Sequence, residues 1–269
     1  MLLNKKKCPN CSCYYDPTLK ECPNCHKTNE LYEQRRVPDS MMFYHPASQI
    51  GLFLAGFAFV GMLISEVIAS LFFAGMADEG LSNALSILFT YLLMLGALLT
   101  IALSSRRNIF FEKFKRPFDY LYGLLYAIAI VLSGLIIGMI VSLFYKETNS
   151  NQTIVEDMIG NYPIIAIALI CFLGPVCEEL TYRVGLHSFF RRINKVLSIV
   201  ISTIVFAFIH YDFTAANYIA ELWSLPSYLA CGLILAIAYE HRGPACSIAA
   251  HITYNAIALI IVVIGKIYG

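Results

Sequence analysis

Charged side chains stand inside an apolar stretch of this chain, between Gly174 and Arg183. They are Glu178, Glu179 and Arg183 itself. A charge at the centre of a bilayer costs at least about 2.5–3.5 kcal/mol on insertion scales, so charges at that depth usually serve a function. Adjacent helical residues point about 100° apart, so the two carboxylates cannot do the same work. Glu179 and Arg183, four residues apart in the favourable order, predict an ion pair. Glu178 is left as the candidate general base.

Two histidines and an asparagine on later apolar segments could complete a site. His210 ends one segment, and His251 and Asn255 lie four residues apart on one face of another. Ionisable groups on separate spans favour a shared function over packing. Asn255 could orient His251 or donate a hydrogen bond to a developing oxyanion. From the helical rise, Glu178 and His210 each lie roughly 20 Å, and His251 about 13 Å, from the basic ends of their segments. We therefore expect the three side chains to meet near mid-membrane.

A second candidate site lies at the N-terminus. Cys8 and Cys11 form one C-x2-C pair, and Cys22 and Cys25 form another. Two such pairs predict a tetrahedral four-thiolate zinc site, here a zinc ribbon over residues 1–28 that depends on the metal for its folding. Cys13 is a spare thiol and an alternative ligand. A pair of disulfides is the other interpretation, and it would require an oxidising compartment.

Composition predicts an all-α membrane protein. Of 269 residues, 58% are hydrophobic and 14% charged, against about 25% charged in soluble domains. The net charge of +1 gives no indication of a nucleic-acid partner. A bundle of seven or eight transmembrane helices is expected, with the eighth a short re-entrant helix in 212–224. The seven predicted spans are 50–74, 81–103, 118–145, 161–186, 196–211, 225–240 and 245–266.

Domain organisation and topology follow from polar composition and from Lys and Arg in the connections. We expect a zinc ribbon over 1–28, a polar linker over 29–46 and a transmembrane domain over 47–269. Basic connections alternate with acidic ones along the chain, which predicts a cytoplasmic N-terminus. No cleavable signal peptide is expected, since the first 40 residues hold no apolar run. Gly134 and Gly138 form a GxxxG pair, which predicts a close helix contact.

The three motifs resemble those of the CAAX-protease and bacteriocin-processing family of intramembrane endopeptidases. They are Glu178-Glu179-x-x-x-Arg183, Phe206-x-x-x-His210 and His251-x-x-x-Asn255, in that order. The resemblance covers roughly 118–266. It implies a membrane-embedded site that hydrolyses peptide bonds of membrane-associated peptides or proteins.

The resemblance also implies roles for the residues. Glu178 would activate water, supported by Glu179 and Arg183. His210 and His251 would be water ligands, metal ligands or oxyanion stabilisers, with Asn255 beside them. A metalloprotease with a catalytic divalent metal and a metal-free, glutamate-dependent protease both remain open. A bacterial plasma membrane is the expected location.

Two other functions are compatible with the sequence. A catalytically silent membrane scaffold, such as an immunity or regulatory protein, would recruit a protein partner through the zinc ribbon. A transporter with an intramembrane charge relay is disfavoured, because no inverted repeat is visible.

Overall fold

The computed structural model describes residues 6–16, 19–29, 45–61, 67, 69–73 and 75–268. The chain divides into two compact units, Met1–Pro38 and Asp39–Gly269. Most of the predicted linker 29–46 and part of the predicted first span 50–74 lie outside the described residues.

The N-terminal unit is built from two copies of one turn. Strands β1 (Lys6–Lys7) and β2 (Tyr14–Tyr15) pair in antiparallel fashion around the first C-x2-C pair, and an isolated bridge joins Glu21 to Thr28 around the second. The residue after each pair, Ser12 or His26, has a left-handed backbone, with φ of 57° and 55° respectively. This repeated geometry directs both thiols of each pair towards the same point.

The second unit consists of helices, together with a short π-helical turn at Ala69–Phe73. Helix α5 is one continuous helical run with two π-helical segments, Ile167–Leu173 and Glu179–His187. The helices of the described residues are α1 (Pro46–Gly61), α2 (Glu79–Glu112), α3 (Pro117–Ser142), α4 (Ser150–Asn161), α5 (Pro163–Arg191), α6 (Lys195–Phe208), α7 (Tyr218–Arg242) and α8 (Pro244–Tyr268).

Five of these helices, α2, α3, α5, α7 and α8, are long and apolar enough to cross a membrane. Helices α1 and α6 are apolar but shorter. The predicted helical membrane architecture is confirmed, whereas the count of seven or eight spans stays a prediction. The separate re-entrant helix predicted over 212–224 is wrong, because residues from Tyr218 onwards are the first turns of α7.

The start of α7 was missed because Glu221 and Pro226 interrupt its apolar pattern. Glu221 is buried, and its carboxylate accepts hydrogen bonds from the backbone N–H groups of Ser150 (2.8 Å) and Asp212 (3.2 Å). A buried carboxylate with two such donors is tolerated inside a helical bundle.

Close helix packing occurs at glycines other than the predicted pair. A Cβ on Gly185 of α5 would lie 2.8 Å from the Phe53 backbone nitrogen of α1, and one on Gly123 of α3 would lie 2.7 Å from Ala249 Cβ of α8. The close contact predicted for Gly134 and Gly138 is wrong, because among the described residues no atom from another helix lies within 4 Å of a Cβ built on either glycine.

The N-termini of α2 and α5 are tied together by one carboxylate. Asp78 accepts a hydrogen bond from the Leu81 N–H (2.9 Å), which caps α2, and another from the Tyr162 hydroxyl (2.8 Å) at the start of α5. These hydrogen bonds, that from Leu81 above all, lower the pKa of Asp78.

Candidate functional site

The glutamates lie where α5 changes its hydrogen-bonding register. The Gly174 N–H bonds the Leu169 carbonyl five residues back, as in a π-helix. In that register the next carbonyl, Ile170, would be bonded by residue 175, which is proline and has no N–H. The Asn255 side chain of α8 replaces the missing donor, with Nδ2 2.7 Å from the Ile170 oxygen. The helix therefore stays continuous through Gly174-Pro175, and α8 is bonded to it there.

Glu179 is buried and joins Arg183 to His251. The predicted Glu179–Arg183 ion pair is present, with Arg183 Nε 3.5 Å from Glu179 Oε2. Glu179 Oε1 lies 3.2 Å from His251 Nδ1. Since an ionised carboxylate only accepts hydrogen bonds, Nδ1 carries the ring hydrogen of a neutral His251. The remaining ring nitrogen, Nε2, therefore has a lone pair.

Arg183 is fully buried and connects three helices. Its guanidinium donates to the backbone oxygens of Ser202 on α6 (3.5 Å) and Gly232 on α7 (3.3 Å). It also lies over the Phe206 ring, 4.8 Å from the ring centroid. Removing either partner of a buried ion pair leaves an uncompensated charge. The Glu179–Arg183 pair thus links α5 to α6 and α7, and through Glu179 to His251 on α8.

Glu178 occupies a different environment from its neighbour. Its side chain is 12% exposed, and its Oε2 lies 3.9 Å from His251 Nε2. Within the described part of the chain, this buried Oε2 has no hydrogen-bond partner. A separation of 3.9 Å is too long for a direct hydrogen bond. It would allow one water molecule to lie within about 2.8 Å of both atoms.

His210 follows the C-terminus of α6 and is oriented by that helix and by α7. Its Nδ1 lies 2.8 Å from the Phe206 carbonyl oxygen, so in the neutral ring Nδ1 carries the hydrogen and Nε2 the lone pair. The ring stacks on Tyr228, with centroids 4.5 Å apart and planes at 19°. Tyr228 in turn accepts hydrogen bonds from Asn149 Nδ2 (3.3 Å) and Asn151 Nδ2 (2.9 Å).

A cavity of about 920 Å³ brings these side chains together. Glu178, His210, His251 and Asn255 all line it, whereas Glu179 and Arg183 do not. Gly134 and Gly138 of α3 also line it, which explains why no neighbour packs on them. Its apolar walls include half-exposed residues such as Leu135 and Ile154.

Ligand geometry differs between the two candidate metal sites. Among the described residues, only Cys8, Cys11, Cys22 and Cys25 form a group of potential ligands within 4.8 Å of one another. Two sulfur pairs in this group are 3.6 Å apart, close to the roughly 3.8 Å expected around a tetrahedral zinc. Cys13 lies outside the group, and all the described cysteines are free thiols.

The side chains of Glu178, His210 and His251 do not form such a group. Their arrangement does not fit a metal ion bound by all three, so the mechanism proposed below is derived without one.

Sequence reasoning missed two aromatic residues of the site. Tyr228 stacks on His210, and Tyr91 of α2 lines the same cavity as Glu178. Neither belongs to a charged or histidine motif. A tyrosine among apolar residues gives no signal of which helix it faces.

The fold and site define a polytopic helical membrane protein whose helices enclose a glutamate–histidine site. Residues 160–257 match the family model described as type II CAAX prenyl endopeptidase Rce1-like, which confirms the resemblance carried by the three motifs. The match contains all three motifs and is narrower than the expected core of 118–266. A search of curated proteins and a search of solved structures gave no match.

Proposed function

We propose that this protein is an intramembrane endopeptidase that hydrolyses peptide bonds of membrane-associated peptides or proteins through water activated by Glu178. The observation that carries the proposal is the environment of the Glu178 carboxylate. Glu178 lines the cavity of about 920 Å³, and its buried Oε2 has no hydrogen-bond partner among the described residues and lies 3.9 Å from a histidine nitrogen. A desolvated carboxylate that has no competing donor is suited to accept a proton from water.

The steps follow from the atoms at the site. A water molecule donates one hydrogen to Glu178 Oε2 and the other to the lone pair of His251 Nε2. Glu178 removes the first proton as the water oxygen bonds to the scissile carbonyl carbon. The C–N bond then breaks, and Glu178 returns the proton to the leaving amine.

The surrounding residues hold this geometry. Glu179 fixes the His251 tautomer by accepting from Nδ1. His210 offers a lone pair at Nε2 when neutral, and it donates to a developing oxyanion only as an imidazolium. The role of Asn255 is to support the protein structure, because its side-chain amide donates a hydrogen bond to the Ile170 carbonyl.

The walls of the cavity support a membrane-associated substrate. Leu135, Ile154 and Ile261 line it and are each more than half exposed, so the cavity reaches the apolar surface of the bundle. An apolar segment beside the scissile bond could therefore remain in lipid while the bond reaches Glu178.

The proposal is tested by cleavage of a fluorogenic peptide library with an apolar anchor, using purified protein in liposomes. Glu178→Gln is expected to lower cleavage by about 10²–10⁴-fold, the usual contribution of a general base. The matched control is Asp157→Asn, which changes an exposed carboxylate of α4 outside the cavity. Full cleavage by Glu178→Gln would contradict the proposal. A cellular phenotype that survives Glu178→Gln but not removal of residues 1–28 would favour the scaffold function instead.

A further inference from the structure

The cavity reaches the surface at one end of the bundle, through a rim that we call the cavity mouth. The mouth is polar, unlike the apolar walls, and its residues come from the α3–α4 connection, the start of α4 and the first turns of α7. The residues of the cavity mouth are Tyr145, Lys146, Glu147, Thr148, Asn149, Asn151, Gln152, Trp223 and Ser224.

Hydrogen bonds hold the cavity mouth in place. Asn149 Nδ2 donates to Ser224 Oγ (3.2 Å), and the Tyr145 hydroxyl donates to Asn217 Oδ1 (2.9 Å). Asn217 Nδ2 donates to Glu147. These contacts join the α3–α4 connection to the residues around the start of α7, so the opening has a defined polar rim.

Aromatic side chains place the cavity mouth at the level of a membrane interface. Trp223, the only tryptophan of the chain, stacks on Phe144 with centroids 5.8 Å apart and planes at 4°. It also stacks on Tyr145 at 6.4 Å and 12°. Trp and Tyr concentrate where the hydrocarbon meets the polar headgroups.

The opposite end of the bundle is closed by an ionic cluster. Glu240 Oε1 lies 2.7 Å from Arg191 Nε and 2.9 Å from His187 Nε2, and Glu240 Oε2 lies 3.9 Å from Lys195 Nζ. None of these four residues lines the cavity. The cluster joins the end of α5, the start of α6 and the end of α7.

The charges of the two ends differ in sign. The helix ends and connections at the closed end carry nine basic residues (Arg106, Arg107, Lys113, Lys115, Arg116, Arg191, Arg192, Lys195 and Arg242) and three acidic ones (Glu112, Asp119 and Glu240). The helix ends and connections at the mouth end carry seven acidic residues (Asp78, Glu79, Glu147, Glu156, Asp157, Asp212 and Glu221) and two basic ones (Lys146 and Lys266). Two contacts confirm that the acidic elements share one end: Tyr162 with Asp78 (2.8 Å), and Lys266 Nζ with the Glu156 carbonyl (2.7 Å). Cytoplasmic connections are the ones enriched in Lys and Arg.

We infer that the cavity is entered from the non-cytoplasmic side of the membrane. This inference rests on the proposed function. The substrates are then polypeptides whose scissile segment lies at the outer surface of the membrane, such as exported or membrane-anchored peptides. Cytoplasmic peptides meet the closed, basic end.

Single cysteine substitutions and a membrane-impermeant thiol reagent test this access. Thr148→Cys lies on the exposed part of the cavity mouth, and Ser227→Cys lies inside the cavity. Ser104→Cys, at an exposed position of α2 near the closed end, is the matched control. Labelled peptides are identified by mass spectrometry, which separates them from the native thiols.

In intact cells the reagent is expected to label Thr148→Cys and Ser227→Cys, and to label Ser104→Cys only in inside-out vesicles. Labelling of Thr148→Cys only in inside-out vesicles would overturn the orientation. A Ser227→Cys thiol that is not labelled in intact cells would overturn entry through the mouth.

The same experiment in a Glu178→Gln background separates this inference from the proposed function. Labelling is expected to be unchanged there, since access does not depend on catalysis. If the wild-type protein cleaves no peptide while the labelling pattern holds, the peptidase proposal fails and the orientation stands. If the peptidase acts, modification of Ser227→Cys from outside is expected to abolish cleavage.

Discussion

At the scale of single residues, the two adjacent glutamates have opposite environments. Glu179 lies 3.5 Å from Arg183 and 3.2 Å from His251 and does not line the cavity, whereas Glu178 lines it and its Oε2 has no hydrogen-bond partner among the described residues. A helix rotates each residue by about 100° from the last, which is sufficient to place one carboxylate in the packed interior and the next at the cavity. The proposed base therefore depends on Glu179 to orient its histidine.

Tyr228 positions His210, and this can be tested with two variants. Tyr228→Phe keeps the ring that stacks on His210, and Tyr228→Leu removes it. Stacked aromatic pairs contribute about 0.5–1.5 kcal/mol, so Tyr228→Leu is expected to lower kcat several-fold and to shift the pH profile of cleavage. Tyr228→Phe is expected to keep most of kcat.

The pH profile distinguishes positioning from general stability. If Tyr228→Leu lowers the Tm but leaves both kcat and the pH profile unchanged, Tyr228 is a packing residue only. Equal losses in Tyr228→Phe and Tyr228→Leu would instead assign the effect to the hydroxyl and its asparagine donors.

The candidate site residues could be predicted from sequence where an ionisable side chain stands in an apolar segment, because such a side chain usually has a function. Glu178, His210 and His251 were identified in this way, and all three line one cavity. The role of Asn255 towards the Ile170 carbonyl was not predictable. It depends on a π-helical register in α5, and that register depends on which helix packs beside it.

At the scale of elements, α5 is organised around Pro175. The proline removes the N–H that the Ile170 carbonyl would receive in the local register, and Asn255 supplies one instead. Helices with interrupted hydrogen bonding are tolerated in membranes when neighbouring side chains satisfy the freed groups.

A double-mutant cycle tests this exchange. Asn255→Ala leaves the Ile170 carbonyl without its donor, which is expected to cost about 1–3 kcal/mol for a buried acceptor. In a Pro175→Ala background the residue 175 N–H can replace that donor, so Asn255→Ala is expected to cost less. The measurement is the free energy of unfolding in detergent for all four proteins.

Equal costs of Asn255→Ala in the two backgrounds would show that the proline and the asparagine are not coupled. A cost that falls by about 1 kcal/mol or more would support the exchange, since distant sites are additive within about 0.5 kcal/mol.

Element bounds were predictable where the apolar pattern is unbroken. Helix α8 (Pro244–Tyr268) agrees with the predicted span 245–266. Helix α7 (Tyr218–Arg242) begins earlier than the predicted span 225–240, because Glu221 and Pro226 are residue types that are typical of a connection between spans. Gly134 and Gly138 were assigned to a helix contact although they line the cavity, since a GxxxG pattern gives no information on what lies opposite it.

At the scale of the whole molecule, the cysteine unit and the transmembrane unit make separate predictions about metal. The Cys8, Cys11, Cys22 and Cys25 thiols lie close together, in an arrangement compatible with one structural metal ion, and we predict that this ion is zinc. The glutamate–histidine site is not arranged for a metal bound by Glu178, His210 and His251 together. The purified full-length protein is therefore expected to hold one zinc ion.

Metal content of three full-length proteins checks this expectation. Cys22→Ser removes a ligand and is expected to abolish zinc binding, whereas Cys13→Ser, outside the group, is expected to keep one zinc ion. Cleavage by the Cys22→Ser protein is expected to persist. A metal ion that remains in Cys22→Ser and is lost on a further His210→Ala change would contradict the metal-free mechanism.

The length of α6 has a consequence for the bilayer around the protein. Its 14 residues (Lys195–Phe208) span only about 21 Å, against a hydrocarbon thickness of about 30 Å. The polar segment after it, which carries His210, would then lie below the headgroups of an undistorted membrane. Lipids beside α6 must thin locally, or water must descend to this depth. We therefore expect the proposed hydrolysis to depend on acyl-chain length, because a thicker membrane would slow the supply of water to the site.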